Sequence, residues 1–282
     1  MFLIGIIDVL KAVLFGIIEG ISEWLPISST GHMILLEHWL KVQEEFGASF
    51  WDLFLVAIQL GAIIAVIICF FSKLWPFSKT KTKEEKKDTW ILWRNVLIAC
   101  IPAAIVGLLF DNWLNEHFYN FITVAIMLIF YGVLFIAIEI WNKKREFKIT
   151  SCKGISWRIA LIIGLIQLLA LIPGTSRSGV TILGAMLIGI DRSSSAEFSF
   201  FLSIPVMVGA SLLKLVKYLI KVGIPSSGEI VFLAIGAIVA FLVSMLVIKF
   251  LMKYIKKHDF KVFGGYRIIL GIILIIYYVV RG

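Results

Sequence analysis

A chain of 282 residues with 60% hydrophobic and 16% charged side chains, and a mean hydropathy of +1.00, has too few polar groups to clothe one soluble core. Composition therefore points to an all-α integral membrane protein that crosses the bilayer several times. The net charge of +9 does not argue for nucleic acid as a partner, because the Lys and Arg lie in short runs between apolar segments, where they set orientation and meet anionic head groups.

The chain opens on an apolar but interrupted stretch, residues 1 to 40, with Pro, Ser and Gly at its middle ("WLPISSTGH"). It lacks the basic head, short apolar run and small-residue cleavage site of a signal peptide, so Met1 is expected to be retained. Uninterrupted apolar runs follow at 50 to 71, 93 to 111 and 119 to 141, each long enough to cross about 30 Å of hydrocarbon. A second interrupted stretch, 155 to 190, carries "LIPGTSRSGVT", and runs at 198 to 220, 229 to 252 and 262 to 281 complete six predicted spans. Lipid could not satisfy the backbone groups freed at Pro and Gly, so the two interrupted stretches read as re-entrant helical hairpins held inside protein or beside a water-filled cavity. Cys69, Cys100 and Cys152 have no paired spacing and read as packing residues.

Lys and Arg crowd residues 72 to 94, 142 to 158 and 249 to 261, whereas "DNWLNEHFYN" (111 to 120) has none, which puts the basic loops in the cytoplasm. Alternation then leaves 41 to 49, 111 to 120, 221 to 229 and the C-terminus outside, provided both interrupted stretches dip in and return.

Those stretches resemble each other. "SSTG" (28 to 31) follows Pro26 and "SRSG" (176 to 179) follows Pro173; upstream, "GIIEG" from Gly16 parallels "GLIQL" from Gly164, and "FLVAIQLGA" (54 to 62) parallels "FLSIPVMVGA" (201 to 210) with one residue inserted. The single membrane domain, 1 to 282, is thus expected to hold a first repeat (1 to 141) and a second (155 to 282). Three spans and one re-entrant segment separate the copies, so they should be inverted, as in folds where two broken elements meet near the midplane to build one site.

In the first copy, Glu19 and Glu23 are four apart and share a helix face at membrane depth, where each charge costs roughly 2.5 to 3.5 kcal/mol. A single such Glu is readily a protonated, hydrogen-bonded packing residue. A pair followed by Pro, three hydroxyls and His32 points instead to a shared divalent cation or an acid/base role. Ser28, Ser29 and Thr30 serve as caps for a helix restarting at Gly31, or one hydroxyl acts as a nucleophile beside a base. His32 alone suits packing as well as catalysis.

The second copy supplies Arg177, flanked by Ser176 and Ser178 and followed by Thr181, with Gly174 and Gly179 permitting close backbone approach. Arg177 either neutralises Glu19 or Glu23 as a structural ion pair or, with the hydroxyls and free N–H groups of a helix restart, clamps phosphate oxygens. Carboxylates facing a phosphate clamp inside a membrane make a metal-assisted phosphoryl-transfer site for a lipid phosphate.

The two motifs, "EGISEWLPISSTGH" and "PGTSRSGVT", together with six spans and duplicated halves, closely resemble the bacterial undecaprenyl-diphosphate phosphatases, the bacitracin-resistance proteins, over essentially the whole chain. The resemblance implies hydrolysis of undecaprenyl diphosphate to undecaprenyl phosphate, which recycles the carrier lipid of cell-wall synthesis. It implies an active site of Glu19, Glu23, Ser28, Ser29, His32, Ser176, Arg177 and Thr181. The expected arrangement has Glu19 and Glu23 holding Mg²⁺ or Ca²⁺, and Ser28, Thr30, Gly174, Ser176, Arg177, Ser178 and Thr181 binding substrate. Ser29 is favoured as nucleophile, with His32 relaying a proton. The location implied is the bacterial plasma membrane with the site opening toward the outer face, and a homodimer is compatible with the sequence. A transporter or flippase of the same carrier is the alternative, because inverted repeats with broken helices are transporter architecture.

Overall fold

The computed structural model describes residues 5–118 and 120–281 and is built of helices, with no extended sheet among the described residues; a lone parallel bridge joins Ile149 and Ile190. Met1, whose retention was expected, lies outside them. In chain order come α1 (Ile6–Ser22), α2 (Ser29–Leu40), α3 (Val42–Phe46), α4 (Ala48–Cys69), α5 (Phe71–Leu74), α6 (Lys83–Phe118), α7 (Phe121–Asn142), α8 (Trp157–Gln167), α9 (Arg177–Ile188), α10 (Arg192–Lys221), α11 (Ser227–Tyr254) and α12 (Lys261–Arg281).

Six of these, α4, α6, α7, α10, α11 and α12, are long and apolar enough to cross a membrane, in agreement with the six runs read from the sequence. The two interrupted stretches are each a pair of short helices broken at the predicted place. α1 stops at Ser22 and α2 starts at Ser29; α8 ends at Gln167, a 3-10 turn covers Leu168–Leu171, and α9 starts at Arg177.

The main departure is α6, which begins ten residues before the predicted run and continues to Phe118, through most of the segment expected to be an outer loop. Its early start has a local cause. Thr82 and Glu85 form a capping box, the Glu85 N–H donating to the Thr82 hydroxyl oxygen at 3.2 Å and the Thr82 N–H to the Glu85 carboxylate at 2.8 Å. Asp88 pairs with Lys153 at 2.9 Å, and the Trp93 indole donates to the Leu74 carbonyl at 2.8 Å, so this charged helical end is anchored to two neighbouring segments. The hydrogen bond from Lys153 to Asp88 holds the lysine's pKa above its ordinary value.

The helices pack through small residues, as expected where lipid supplies no hydrophobic drive and backbones must approach closely. At the crossing of α7 and α12, a Cβ on Gly132 would lie 2.7 Å from the Gly264 carbonyl oxygen, and one on Gly264 would lie 2.7 Å from that of Gly132. On α1, Gly16 and Gly20 press in the same way against Gly236, Ala240 and Val243 of α11. These contacts fix α1 and α12, which carry Glu19 and Arg267 to the centre.

Candidate functional site

The broken ends of α1–α2 and α8–α9 come together. Glu23 caps α1, and its carboxylate accepts from two directions: Oε1 from Arg177 Nη2 at 2.7 Å, and Oε2 from the Ser29 hydroxyl at 2.8 Å. Its carbonyl accepts from the Ser178 hydroxyl at 3.1 Å. Arg177 also donates from Nη1 to the Ser199 carbonyl of α10 at 2.9 Å, which fixes the guanidinium plane. A carboxylate and guanidinium this buried hold each other only through such extra hydrogen bonds, since desolvation otherwise cancels most of the attraction.

Both restarting helices are capped by a serine in left-handed backbone, Ser28 at φ 73° and Ser176 at φ 72°. For a residue with a side chain this costs of order 1 to 3 kcal/mol and persists only where its surroundings dictate it. α2 restarts at Ser29 rather than Gly31, with Ser28 as its N-cap. The Ser28 hydroxyl is buried without a hydrogen-bond partner, whereas the Ser176 hydroxyl accepts from the Gly179 N–H at 3.1 Å.

Glu19 lies one helical turn before Glu23, is 1% exposed, and leaves Oε1 without a partner. The orphan oxygen of Glu19, the carboxylate of Glu23 one turn on and the orphan hydroxyl of Ser28 are hard oxygen donors, the chemistry that Mg²⁺ or Ca²⁺ takes. No group of three or more carboxylate, imidazole or thiol side chains is gathered to hold an ion alone among the described residues.

The two ring nitrogens of His32 are engaged by groups other than Ser29. Its Nδ1 lies 2.8 Å from the Ser28 carbonyl, which can only accept, so Nδ1 carries the proton and Nε2 accepts from the Tyr266 hydroxyl at 2.7 Å. The two rings stack with centroids 5.7 Å apart. Thr181 and Ser178 are buried, and their hydroxyls are taken: Thr181 faces Ser199 at 2.6 Å and the Arg177 carbonyl at 2.8 Å, and Ser178 holds Glu23. Gly174, at φ 88°, backs onto Val124 of α7, where a Cβ would lie 2.6 Å from the Val124 carbonyl oxygen. Ser29, Thr30, His32, Ser176 and Arg177 remain partly exposed.

Two residues beyond the sequence-predicted set organise this centre. Ser199 accepts from Arg177 through its carbonyl and pairs with the Thr181 hydroxyl through its own. Arg267 of α12 is fully buried and donates to the carbonyls of Pro26 at 3.2 Å and of Gly174 and Thr175 at 2.9 Å each, so one guanidinium ties together the tips of both broken segments. Longer bonds to Met127 and Leu128 join it to α7. An arginine in an apolar run is itself a signal, because such a charge at membrane depth is expensive.

The family model described as "Bacitracin resistance protein BacA" matches residues 12–273. Among curated proteins, the chain is 59% identical over 268 residues to an undecaprenyl-diphosphatase of Enterococcus faecalis, covering 95% of this chain and 96% of that protein. It is 54% identical over 272 residues to one from Acetivibrio thermocellus, covering 96% and 98%, and 52% identical over 276 residues to one from Streptococcus thermophilus, covering 98% and 95%.

Proposed function

This chain belongs to the bacitracin resistance protein BacA family, and on that footing we propose that it is a membrane phosphatase, hydrolysing undecaprenyl diphosphate to undecaprenyl phosphate and inorganic phosphate. The activity returns the carrier lipid to cell-wall synthesis and so underlies bacitracin resistance. The observation that carries the proposal is Glu23 accepting at once from Ser29 and Arg177, where two broken helical segments meet.

In this reading the Ser29 oxygen attacks the terminal phosphorus while its proton passes to Glu23. The bond from that phosphorus to the bridging oxygen breaks, and undecaprenyl phosphate leaves with the electron pair. Water then attacks the phosphoserine, phosphate departs, and Glu23 returns the proton to the Ser29 oxygen. Arg177 holds the carboxylate of Glu23 in place and, with Ser176 and Thr30, faces the incoming phosphate oxygens. Ser178 and Thr181 position Glu23 and Arg177 from behind, and Gly174 lets the second tip approach α7. His32, held by Ser28 and Tyr266, orders the start of α2 and exchanges protons with solvent. Glu19 and Glu23 would hold Mg²⁺ or Ca²⁺, which when bound offsets charge on the phosphate oxygens.

The finer architecture goes with this proposal: two re-entrant hairpins in inverted repeats, 1 to 141 and 155 to 282, with the site opening toward the outer face of the plasma membrane. Its support is the pairing of features between halves. α2 and α9 both have 12 residues and a left-handed serine before them; Gly16 packs α1 on α11 as Gly164 packs α8 on Ala99 of α6; and Gly132 meets Gly264 at the crossing of α7 and α12. The relatives' names favour the enzyme over the flippase that this plan also allows.

The test is phosphate release from undecaprenyl diphosphate by purified protein in detergent. We expect turnover that a chelator abolishes and added Mg²⁺ or Ca²⁺ restores; no release under any metal would return the flippase reading.

A further inference from the structure

A cavity of about 600 Å³ opens between the ends of α4 and α11, the start of α10 and the linker before α8, and none of the candidate site residues lines it. Its wall is cationic. Lys249 and Lys253 lie four apart on the last turns of α11 and so share one face, and Lys256, in the turn just beyond the helix end, joins them on the cavity wall. Lys73 of the short α5 adds a fourth lysine to the wall. One acid lines the cavity, Glu197, and Lys73 already occupies it at 2.6 Å. Lys249, Lys253 and Lys256 have no hydrogen-bond or ion-pair partner among the described residues. Like charges four apart on a helix repel, so their convergence is relieved by an anion. Hydroxyls of Ser151 and Ser193 add neutral donors. Beside the lysines, Ile248 is buried and Met252 half-buried, and both line the cavity, giving it an apolar floor.

The surroundings point to lipid as the source of that anion. Close by in the chain, Phe71, Trp75, Phe77 and Trp90 are exposed and pack in a row, with successive ring centroids 5.6, 5.4 and 5.7 Å apart. Exposed aromatics in a belt at the end of a membrane helix mark head-group level. The basic loops put this face in the cytoplasm, where anionic lipids concentrate and where basic pockets between helices take their head groups.

We infer that this cavity binds the phosphodiester head group of an anionic phospholipid, with Lys249, Lys253 and Lys256 on the phosphate and Ile248 and Met252 against the glycerol and acyl boundary. A soluble phosphate ester shares the head-group chemistry but would gain nothing from the apolar floor or the aromatic belt.

The test uses the full chain in neutral detergent and reads lipid retained in native mass spectrometry, with the thermal midpoint as a second readout. Phosphatidylglycerol should be retained at a concentration at least tenfold below that needed for phosphatidylcholine, and should raise the midpoint. In the triple variant Lys249→Gln, Lys253→Gln, Lys256→Gln, this preference should fall at least tenfold. The variant Lys83→Gln, Lys86→Gln, Lys87→Gln, which removes equal charge from α6, should keep it. Should the first triple variant be unstable in detergent alone, Lys253→Gln by itself should still weaken retention about threefold. Undiminished preference in the α11 variants, or equal loss in the α6 control, would overturn the proposal. Full competition by inorganic phosphate or glycerol phosphate at the same concentration as the lipid would overturn the lipid assignment.

Discussion

Arg177 donates to Glu23 across 2.7 Å, and the two residues come from segments 154 positions apart. The contact makes the ion pair and the phosphate clamp one arrangement rather than alternatives. A guanidinium with several N–H donors can keep Glu23 and still face a phosphate, whereas a carboxylate pinned by Arg177 keeps its second oxygen aimed at Ser29.

Arg177→Lys should therefore fold yet lose most activity. An ammonium cannot hold Glu23, the Ser199 carbonyl and a phosphate in one plane, and losing one charge-assisted hydrogen bond costs about 2 to 3 kcal/mol, a factor of roughly 30 to 150 in rate. Phosphate release per mole of folded protein checks this; a near-normal rate would leave Arg177 a structural residue only.

Glu19→Gln separates metal binding from folding. The change keeps shape and replaces a buried carboxyl, whose Oε1 has no partner, with a permanently neutral amide, so the thermal midpoint should hold or rise. The metal concentration for half-maximal rate should rise at least tenfold. Full activity in the double variant Glu19→Gln, Glu23→Gln would remove both residues from the metal and acid/base roles.

How far the sequence carried is clear at particular residues. The six spans were legible because a continuous apolar run has few other destinations, and Glu19, Glu23 and Arg177 because a charge at membrane depth demands a reason. Partners were not legible: a spacing of four assigns a face, not a neighbour, so nothing in "EGISE" says that Glu23 meets Ser29 and Arg177. The left-handed backbone of Ser28 and Ser176 is imposed by tertiary contacts, against the local preference of serine. The early start of α6 escaped because hydropathy ends with the hydrocarbon, although the capping box in "TKEE" runs past it. Arg267, in "GGYR", sits inside the apolar run 262 to 281, where hydropathy alone predicts only a span.

Arg267 gives a stability prediction. Its buried guanidinium satisfies the carbonyls of Pro26, Gly174 and Thr175, and a lysine reaches fewer of them, leaving at least one buried oxygen unpaired at about 1 to 3 kcal/mol. Arg267→Lys should lower the thermal midpoint in detergent by several degrees and reduce turnover through disorder of both tips. An unchanged midpoint would refute the brace.

Topology can be read chemically. In a background lacking Cys69, Cys100 and Cys152, single cysteines at Lys83 and Glu116, both exposed near opposite ends of α6, should be labelled from opposite sides by an impermeant thiol reagent. Labelling from the same side would break the inverted-repeat plan.

The division of labour between Ser29 and His32 is the sharpest test of the chemistry. Ser29 donates to Glu23, so Ser29→Ala removes the proposed attacking oxygen and leaves Glu23 and Arg177 paired. Turnover should fall by a factor on the order of a thousand or more, while the protein still binds substrate. The lone pair of His32 is occupied by Tyr266, so Tyr266→Phe should cost one neutral hydrogen bond, about 0.5 to 1.5 kcal/mol, and lower the rate about two- to twelvefold. His32→Ala loses that contact and the one to Ser28, and should fall between the two. Single-turnover phosphate release in detergent ranks all three. Were His32→Ala the dead variant and Ser29→Ala the active one, the histidine would be the nucleophile or base, and the bond between Ser29 and Glu23 would only join α2 to the end of α1.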